Sequence, residues 1–190
     1  MGLGGWLVIG AIVLVLIYAI AVYNRLVRLR ALAREAFSGI TVQLRRRADL
    51  VPNLVETVQG YATHERSTLD EVTRHRADAT RETTVKGTAQ ADAQFTGLLG
   101  RLMAVVEAYP DLKADENFRQ LSDELSELET ELQSSRRYYN ATVRDLNTRV
   151  QSFPENLFAK PMGFAEEPFY EDGDASIQTA PKVSFARPAA

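Results

Sequence analysis

Two histidines, His64 and His75, are the first candidates for metal or acid–base chemistry, because the chain has no cysteine. Their spacing of eleven places both on one face of a helix, but about 16 Å apart along its axis. One metal ion cannot bridge that separation, since zinc–nitrogen bonds are only about 2 Å long. We therefore interpret them as surface histidines and predict neither a metal site nor a cofactor.

Nucleophilic catalysis and nucleotide binding also lack their usual residues. Without cysteine there is no thiolate nucleophile, and no GxGxxG or GxxxxGKS phosphate motif occurs. Carboxylates are abundant in residues 115–131, but they form an exposed acidic face. Nothing in the pattern groups a nucleophile with a base and an orienting residue. The sequence therefore predicts a protein that is not an enzyme.

The densest positive charge lies in the stretch "RRRADLVPNLVET", residues 45–57. Its polar residues form a candidate partner-binding corner: Arg45, Arg46, Arg47, Asp49 and Asn53. Pro52 interrupts helices, so the stretch is interpreted first as a turn between two helices, with its arginines facing the acids of residues 115–131. A patch that binds a protein partner is the alternative. Nucleic acid is excluded as a partner, because the net charge is −3 and no aromatic residues interleave the arginines.

A candidate polar core lies close to the apolar stripes of the predicted helices. It consists of Tyr109, Asn140 and Asn147, and the two asparagines are seven residues apart. A buried asparagine in a helical bundle fixes the register of the helices at a cost in stability. A groove for a ligand or a peptide, lined by these amides, is the functional alternative.

The elements that position these residues begin with an apolar run at the N-terminus. Residues 1–24 contain no charged side chain, and residues 6–22 cover most of a hydrocarbon layer about 30 Å thick. Trp6 and Tyr23 flank the run, as interfacial aromatic residues do. No basic residue precedes it and no small-residue cleavage site follows it, which argues against a signal peptide. We predict a transmembrane anchor over residues 1–23.

Four arginines just after the run are candidate lipid-facing residues: Arg25, Arg28, Arg30 and Arg34. The positive-inside rule then predicts a single-pass protein of the cytoplasmic (inner) membrane, with its N-terminus outside and most of the chain in the cytoplasm. Each arginine near an anionic lipid surface contributes about 1 kcal/mol. In an antiparallel bundle, further arginines would join this basic collar: Arg136, Arg137, Arg144 and Arg149. Because nearby carboxylates dilute this charge, the collar is interpreted either as a mixed, solvated surface or as a basic surface seated on anionic lipid.

Apolar residues recur at spacings of three and four after the anchor, which predicts four helical segments. The first continues the anchor to about Arg47, and the second runs from about residue 52 to 80 with Asp49 as its N-cap. The third covers about 88–109, and the fourth covers 115–152 with Asp115 as its N-cap. Prolines at positions 52, 110 and 154 mark the ends of these segments.

Short connections between long helices favour antiparallel neighbours. The predicted fold is therefore all-α, with the transmembrane helix continuous with an antiparallel four-helix up-and-down bundle over residues 24–170. Residues 171–190 are acidic and contain prolines without periodicity, so we predict a disordered tail.

Several stretches resemble the LemA family of bacterial membrane proteins over about residues 20–170. They include "RRRADLVPNLVETVQGYATHE", "EAYPDLKADENFRQLSDELSELE", "RRYYNATVRDLN" and "FPENLFAKPMGF". Departures are small: Val51 stands where the family usually has isoleucine, and residues 126–132 differ from the usual pattern. The resemblance implies one N-terminal span, an outer N-terminus, a helical bundle and no known catalytic residue.

These features predict a membrane-anchored, non-enzymatic helical scaffold or interaction protein that self-associates at the cytoplasmic membrane. The expected partners are the lipid bilayer, other membrane or cytoplasmic proteins and further copies of the chain. One alternative is a regulatory adaptor of a membrane protease or an envelope-stress system, because some members of the resembled family are encoded beside membrane proteases. The other alternative is a sensor that binds a small ligand at the polar core.

Overall fold

A computed structural model describes residues 2–62 and 66–171, apart from the side chains of residues 77–80. All regular structure in these residues is helical, which confirms the predicted all-α class. In chain order the helices are α1 Leu3–Tyr61, α2 Arg66–Arg81, α3 Val85–Val106, α4 Pro110–Ala114, α5 Glu116–Gln151 and α6 Asn156–Ala159.

The apolar run forms the first part of α1. An 18-residue window of this helix has a mean hydropathy of 2.7, and only 6% of the window is buried in the fold. By length and composition α1 can cross a bilayer, and the large apolar side chains of its first part are mostly exposed rather than packed in the fold. This combination indicates a membrane protein.

The predicted helix end near Arg47 is wrong, because α1 continues through Pro52 to Tyr61 and Asp49 lies inside it. A proline within a helix removes one hydrogen bond and costs about 3 kcal/mol. Pro52 is exposed, whereas its neighbours Val51 and Leu54 are fully buried. Burying each of those side chains contributes about 1.5–3 kcal/mol, which is enough to keep the helix intact.

α1 and α5 pack antiparallel along most of α5. At the end far from the apolar run, Tyr61 Oη donates a hydrogen bond of 3.1 Å to Asp115 Oδ2. In the middle, the rings of Phe37 and Tyr139 lie 5.8 Å apart. Asp115 caps α5 as predicted, since it accepts a 2.9 Å bond from the Phe118 N–H. That bond stabilises the carboxylate and holds the pKa of Asp115 below its usual value.

α2 and α3 pack on each other and on the part of α1 that is distal, meaning far from the apolar run. Along the length of α1 the hydrophobic core consists of three layers. The distal layer centres on Leu54, Val58 and Phe95, and the middle layer centres on Ile40 and Val143. The third, here called the membrane-proximal layer, consists of Val22, Leu26, Leu146, Val150, Ala159 and Phe164. The antiparallel four-helix bundle as a whole stays a prediction.

The chain turns back after α6. Gly163 has φ of +79°, a conformation that glycine adopts without the steric cost of a side chain. Residues 164–171, here called the strap, have no regular structure and run back along α5. The predicted disordered tail, residues 171–190, lies outside the described residues except for Glu171.

Candidate functional site

A buried group of charged and polar residues lies where α1, α3, α5 and the strap meet. We call it the ionic centre, and its members are Arg47, Asp92, Glu129, Arg136 and Tyr170. Asp92 is only 1% exposed and accepts hydrogen bonds from three side chains. Two come from Arg47 and Arg136, and the third comes from Tyr170 Oη at 2.7 Å.

Glu129 completes the ionic centre on its outer side. Its Oε2 accepts from Arg47 Nη1 at 2.9 Å, and its Oε1 lies 3.7 Å from Arg136 Nη1. Arg47 also donates to Thr96 Oγ1 at 3.1 Å. Among the described residues two guanidinium groups face two carboxylates, so the formal charges of these four side chains cancel. This cancellation is what makes burial tolerable, because an unpaired ion would cost several kcal/mol.

The phenol of Tyr170 stays protonated at any physiological pH. Burial raises the pKa of Tyr170 well above its usual range, and the negative charge of Asp92 raises it further. The neutral hydroxyl is therefore a permanent donor to Asp92. Through this bond the strap becomes part of the ionic centre.

Two asparagines of α5 hold the strap through its main chain. Asn147 donates from Nδ2 to the Glu167 carbonyl and accepts from the Glu167 N–H through Oδ1, both at 2.9 Å. Asn140 makes the same pair of bonds with Tyr170, at 2.9 and 2.8 Å. Each amide therefore satisfies one donor and one acceptor of an irregular backbone. This pattern recognises a main chain rather than particular side chains.

Further contacts hold the strap at other points along its length. Tyr139 Oη donates to the Pro168 carbonyl at 2.8 Å, and burial raises the pKa of Tyr139 to about 12. Just before the strap, Arg30 Nη2 donates to the Gly163 carbonyl at 2.8 Å. The Arg30 guanidinium also lies 4.1 Å from the centre of the Phe164 ring.

The five residues of the predicted corner do not form a turn, because they lie on one continuous helix. Arg47 points inward to the ionic centre, whereas Arg45, Arg46, Asp49 and Asn53 are exposed. The expected pairing with the acids of α5 does occur, at Arg47–Glu129 and at Arg46–Glu131 with 3.9 Å. Whether the exposed members bind a partner stays a prediction.

The four candidate lipid-facing arginines differ in their surroundings. Arg28 and Arg34 are exposed, and Arg25 lies 4.0 Å from Glu155. Arg30 instead contacts the strap. The predicted collar also loses Arg136, which lies in the ionic centre because Asp92 faces it from α3. Contact between these arginines and lipid stays a prediction.

The three residues of the predicted polar core do not come together. Tyr109 precedes α4 at the distal end, where it packs against the distal core layer. Asn140 and Asn147 lie together on α5 and bind the strap. Within the described residues, the two amides therefore form hydrogen bonds with the main chain of the strap rather than with a neighbouring helix.

Sequence reasoning missed Asp92, Glu129, Arg136, Tyr170 and Thr96 as members of one site. A signal for the site was present in the spacing. Arg47 falls three residues after Leu44 and four before Val51, and Asp92 falls midway between Ala89 and Phe95. A charged residue at a position that periodicity assigns to the core requires a buried partner of opposite charge.

The ionic centre packs α1, α3 and α5 in one specific arrangement, and the two asparagines bind a peptide main chain. Within residues 2–62 and 66–171, no group of three or more histidines and carboxylates is placed to hold a metal ion.

Comparison with known proteins shows similarity to one family. A model of the LemA family matches residues 36–185. Magnetosome protein MamQ 2 of Paramagnetospirillum magneticum is 34% identical over 92 residues, which are 47% of this chain and 34% of the relative. Protein LemA of Metamycoplasma hominis is 28% identical over 140 residues, 73% of this chain and 64% of the relative.

A third relative, Magnetosome protein MamQ of Magnetospirillum gryphiswaldense, is 25% identical over 83% of this chain and 68% of its own length. The match to MamQ 2 spans only about a third of that relative's length.

Proposed function

Because the chain belongs to the LemA family, we propose that it is a non-enzymatic scaffold, anchored in the membrane, that binds extended protein segments and self-associates through its strap. The apolar part of α1 supplies the anchor. The paired helices α1 and α5 form a rod that continues from it, and the strap site lies on the side of this rod. The related MamQ proteins are named for the magnetosome, an assembly that such a scaffold would suit.

The strap supports this proposal most directly. Asn140 and Asn147 bind it through main-chain groups, which any extended segment carries. The strap of a second copy would restore every one of these bonds, including the one from Tyr170 to Asp92. Exchange between copies then costs mainly the opening of the hinge around Gly163.

The exposed arginines on α1 support an orientation with the N-terminus outside. Arg25, Arg28 and Arg34 follow the apolar run directly, and Arg28 and Arg34 are exposed. Positive charge at one end of a span favours the cytoplasmic side for that end. The rod and the strap would then lie in the cytoplasm, at the inner membrane.

A photo-crosslinking experiment on the full chain in native membranes tests self-association. A photoreactive phenylalanine analogue replaces Phe169, which is 39% exposed on the strap. Copies labelled with heavy isotopes are mixed with unlabelled copies before irradiation. We expect mixed-isotope dimers that join the strap of one copy to α5 of another, and these should decrease when both Asn140 and Asn147 are changed to Ala.

The matched control carries the same analogue at Tyr138, an exposed residue of α5 that does not belong to the strap. Random collision in the membrane would give equal dimer yields from both positions. Exclusively monomeric products from Phe169 would refute strap exchange.

A regulatory adaptor is the second candidate, and the exposed part of the predicted corner favours it. The side chain of Arg46 is 62% exposed and approaches Glu131 only to 3.9 Å, so its charge remains available. Capture from membrane extracts should then depend on Arg45 and Arg46. The double variant Arg45→Glu/Arg46→Glu should lose a bound protein that the control Lys86→Glu, exposed on α3, retains. Equal capture by both variants would exclude the corner.

A further inference from the structure

The loop after α5 lies against the apolar part of α1. We call residues 153–162 the interfacial loop; it contains α6. The rings of Phe158 and Tyr18 meet edge to face with centroids 5.8 Å apart. Tyr18 precedes Arg25, the first charged residue of the chain, by seven positions, which is about 10 Å along a helix. The loop therefore reaches past the first charged residue towards the interior of the apolar run.

Two large apolar side chains of this loop face away from the protein. Phe153 is 79% exposed and Leu157 is 61% exposed, whereas Ala159 of the same loop is fully buried in the membrane-proximal layer. The loop thus has an inner side that packs on α1 and α5 and an outer apolar side. Exposed apolar surface next to a membrane-spanning helix is typical of a membrane contact.

The charges of the loop suit the edge of a bilayer. Its one carboxylate, Glu155, is 11% exposed and lies 3.2 Å from Arg149 and 4.0 Å from Arg25. The negative charge is therefore paired inside the fold and does not oppose contact with lipid. The one cation of the loop, Lys160, is exposed, and a long lysine side chain can reach phosphate groups while its stem stays in an apolar layer.

We propose that the interfacial loop inserts Phe153 and Leu157 into the boundary between head groups and acyl chains. The protein then contacts the membrane at two places, through the apolar part of α1 and through this loop. Lipid is the occupant that the geometry favours, because the loop's apolar surface continues that of α1 at Tyr18. The second contact fixes the rotation of the rod about its own axis relative to the bilayer. It also extends the proposed scaffold function, since only Gly163 separates the loop from the strap.

Depth-dependent fluorescence quenching tests this contact on the full chain. The chain has no cysteine, so single variants Phe153→Cys and Leu157→Cys take one environment-sensitive dye each. The protein is reconstituted into vesicles of phosphatidylcholine and phosphatidylglycerol that contain nitroxide-labelled lipids. Both dyes should show blue-shifted emission, with several-fold stronger quenching by nitroxides near the head group than by nitroxides at the bilayer centre.

Two matched variants serve as controls for the dye emission and its quenching. Tyr138→Cys, exposed on α5, should give water-like emission without quenching, and Ile12→Cys, exposed on the apolar part of α1, should be quenched by central nitroxides. Quenching at Ile12 together with water-like emission at positions 153 and 157 would overturn the loop contact and leave the anchor intact. Blue-shifted emission at the loop without lipid quenching would mean contact with another protein, which also overturns it.

Discussion

The ionic centre and the membrane-proximal layer join the same two helices by opposite means. In the ionic centre, α1 and α5 meet through Arg47, Glu129 and Arg136, with Asp92 of α3 between them. In the membrane-proximal layer, α1 and α5 meet through Leu26, Leu146 and Val150, which are nearly or fully buried. One contact depends on exact pairing of charges and the other on apolar area.

This difference assigns different roles to the two regions. Apolar contacts stabilise a helix pair but tolerate related side chains of similar volume. A buried ion pair adds little net stability, yet a shift in register that separates its partners is strongly unfavourable. We therefore expect the membrane-proximal layer to stabilise the α1–α5 pair and the ionic centre to determine its register and the position of the strap.

The largest effect is expected from Asp92→Ala. This change removes the carboxylate that both Arg47 and Arg136 contact, and breaking a buried pair in this way costs about 3–5 kcal/mol. The free energy of unfolding is measured on the full-length protein in detergent micelles, by denaturant titration followed by circular dichroism. The control Asp123→Ala, at an exposed position of α5, should change it by less than about 0.5 kcal/mol.

A second variant separates register from stability at the ionic centre. Replacing the three ions together, as Arg47→Met, Asp92→Leu and Arg136→Met, should recover most of the stability that Asp92→Ala loses. It should still release the strap, because Tyr170 loses its acceptor. Limited proteolysis near residue 170 reports that release. A triple variant as unstable as Asp92→Ala would show that the charges themselves supply the stability.

The next largest effect is expected from Leu146→Ala in the membrane-proximal layer. Leu146 is fully buried, and truncating such a leucine costs about 2–5 kcal/mol through lost apolar contact and a residual cavity. The same denaturant titration measures this loss in the free energy of unfolding. Leu146→Met, which keeps the volume, should cost less than about 1.5 kcal/mol. If both substitutions cost the same, shape rather than apolar area would govern this layer.

The smallest effect is a loss of stability in alkaline solution. The pKa of Tyr139 is raised from 10.0 to about 12 in the folded protein, chiefly by burial. Between these values the unfolded chain releases a proton that the folded chain keeps, so stability should decrease as the pH rises from about 10 to about 12. Unfolding is followed by circular dichroism across this range.

Tyr139→Phe provides the comparison for the alkaline prediction. The variant cannot form a phenolate at this position, so its stability should vary less over the same pH range. It also loses the hydrogen bond to Pro168, which should lower its stability at neutral pH by about 0.5–1.5 kcal/mol. An unchanged alkaline profile would mean that Tyr170, whose pKa is also raised by burial, controls the transition.

The helices themselves could be predicted well where local signals agree with packing. Asp115 is the N-cap of α5 as expected, and α5 ends at Gln151, just before Pro154. The predicted second segment, residues 52–80, is wrong as a single helix, because its first part belongs to α1 and α2 begins at Arg66; only its end near residue 80 agrees with Arg81. Pro52 misled the prediction, because tertiary burial of its neighbours outweighs a local preference that sequence alone cannot weigh.

The site was harder to predict than the helices, since its members are far apart in the chain. Asn140 and Asn147 were identified as polar residues near an apolar stripe, and a peptide groove was among the alternatives. Their partners, Glu167 and Tyr170, contribute only main-chain groups to the asparagines, so no side-chain pattern indicates them. Arg47 and Asp92 could be placed together only once α3 was known to lie beside α1.

Because α1 is one helix from Leu3 to Tyr61, a change in the tilt of its apolar part also moves its distal end. From Tyr23 to Tyr61 the same helix extends about 57 Å beyond the apolar run. A change of about 10° in the tilt of the membrane segment, such as a thinner bilayer imposes, would therefore move the far tip by about 10 Å. Whatever binds near Tyr61 would sense the thickness of the membrane without touching it.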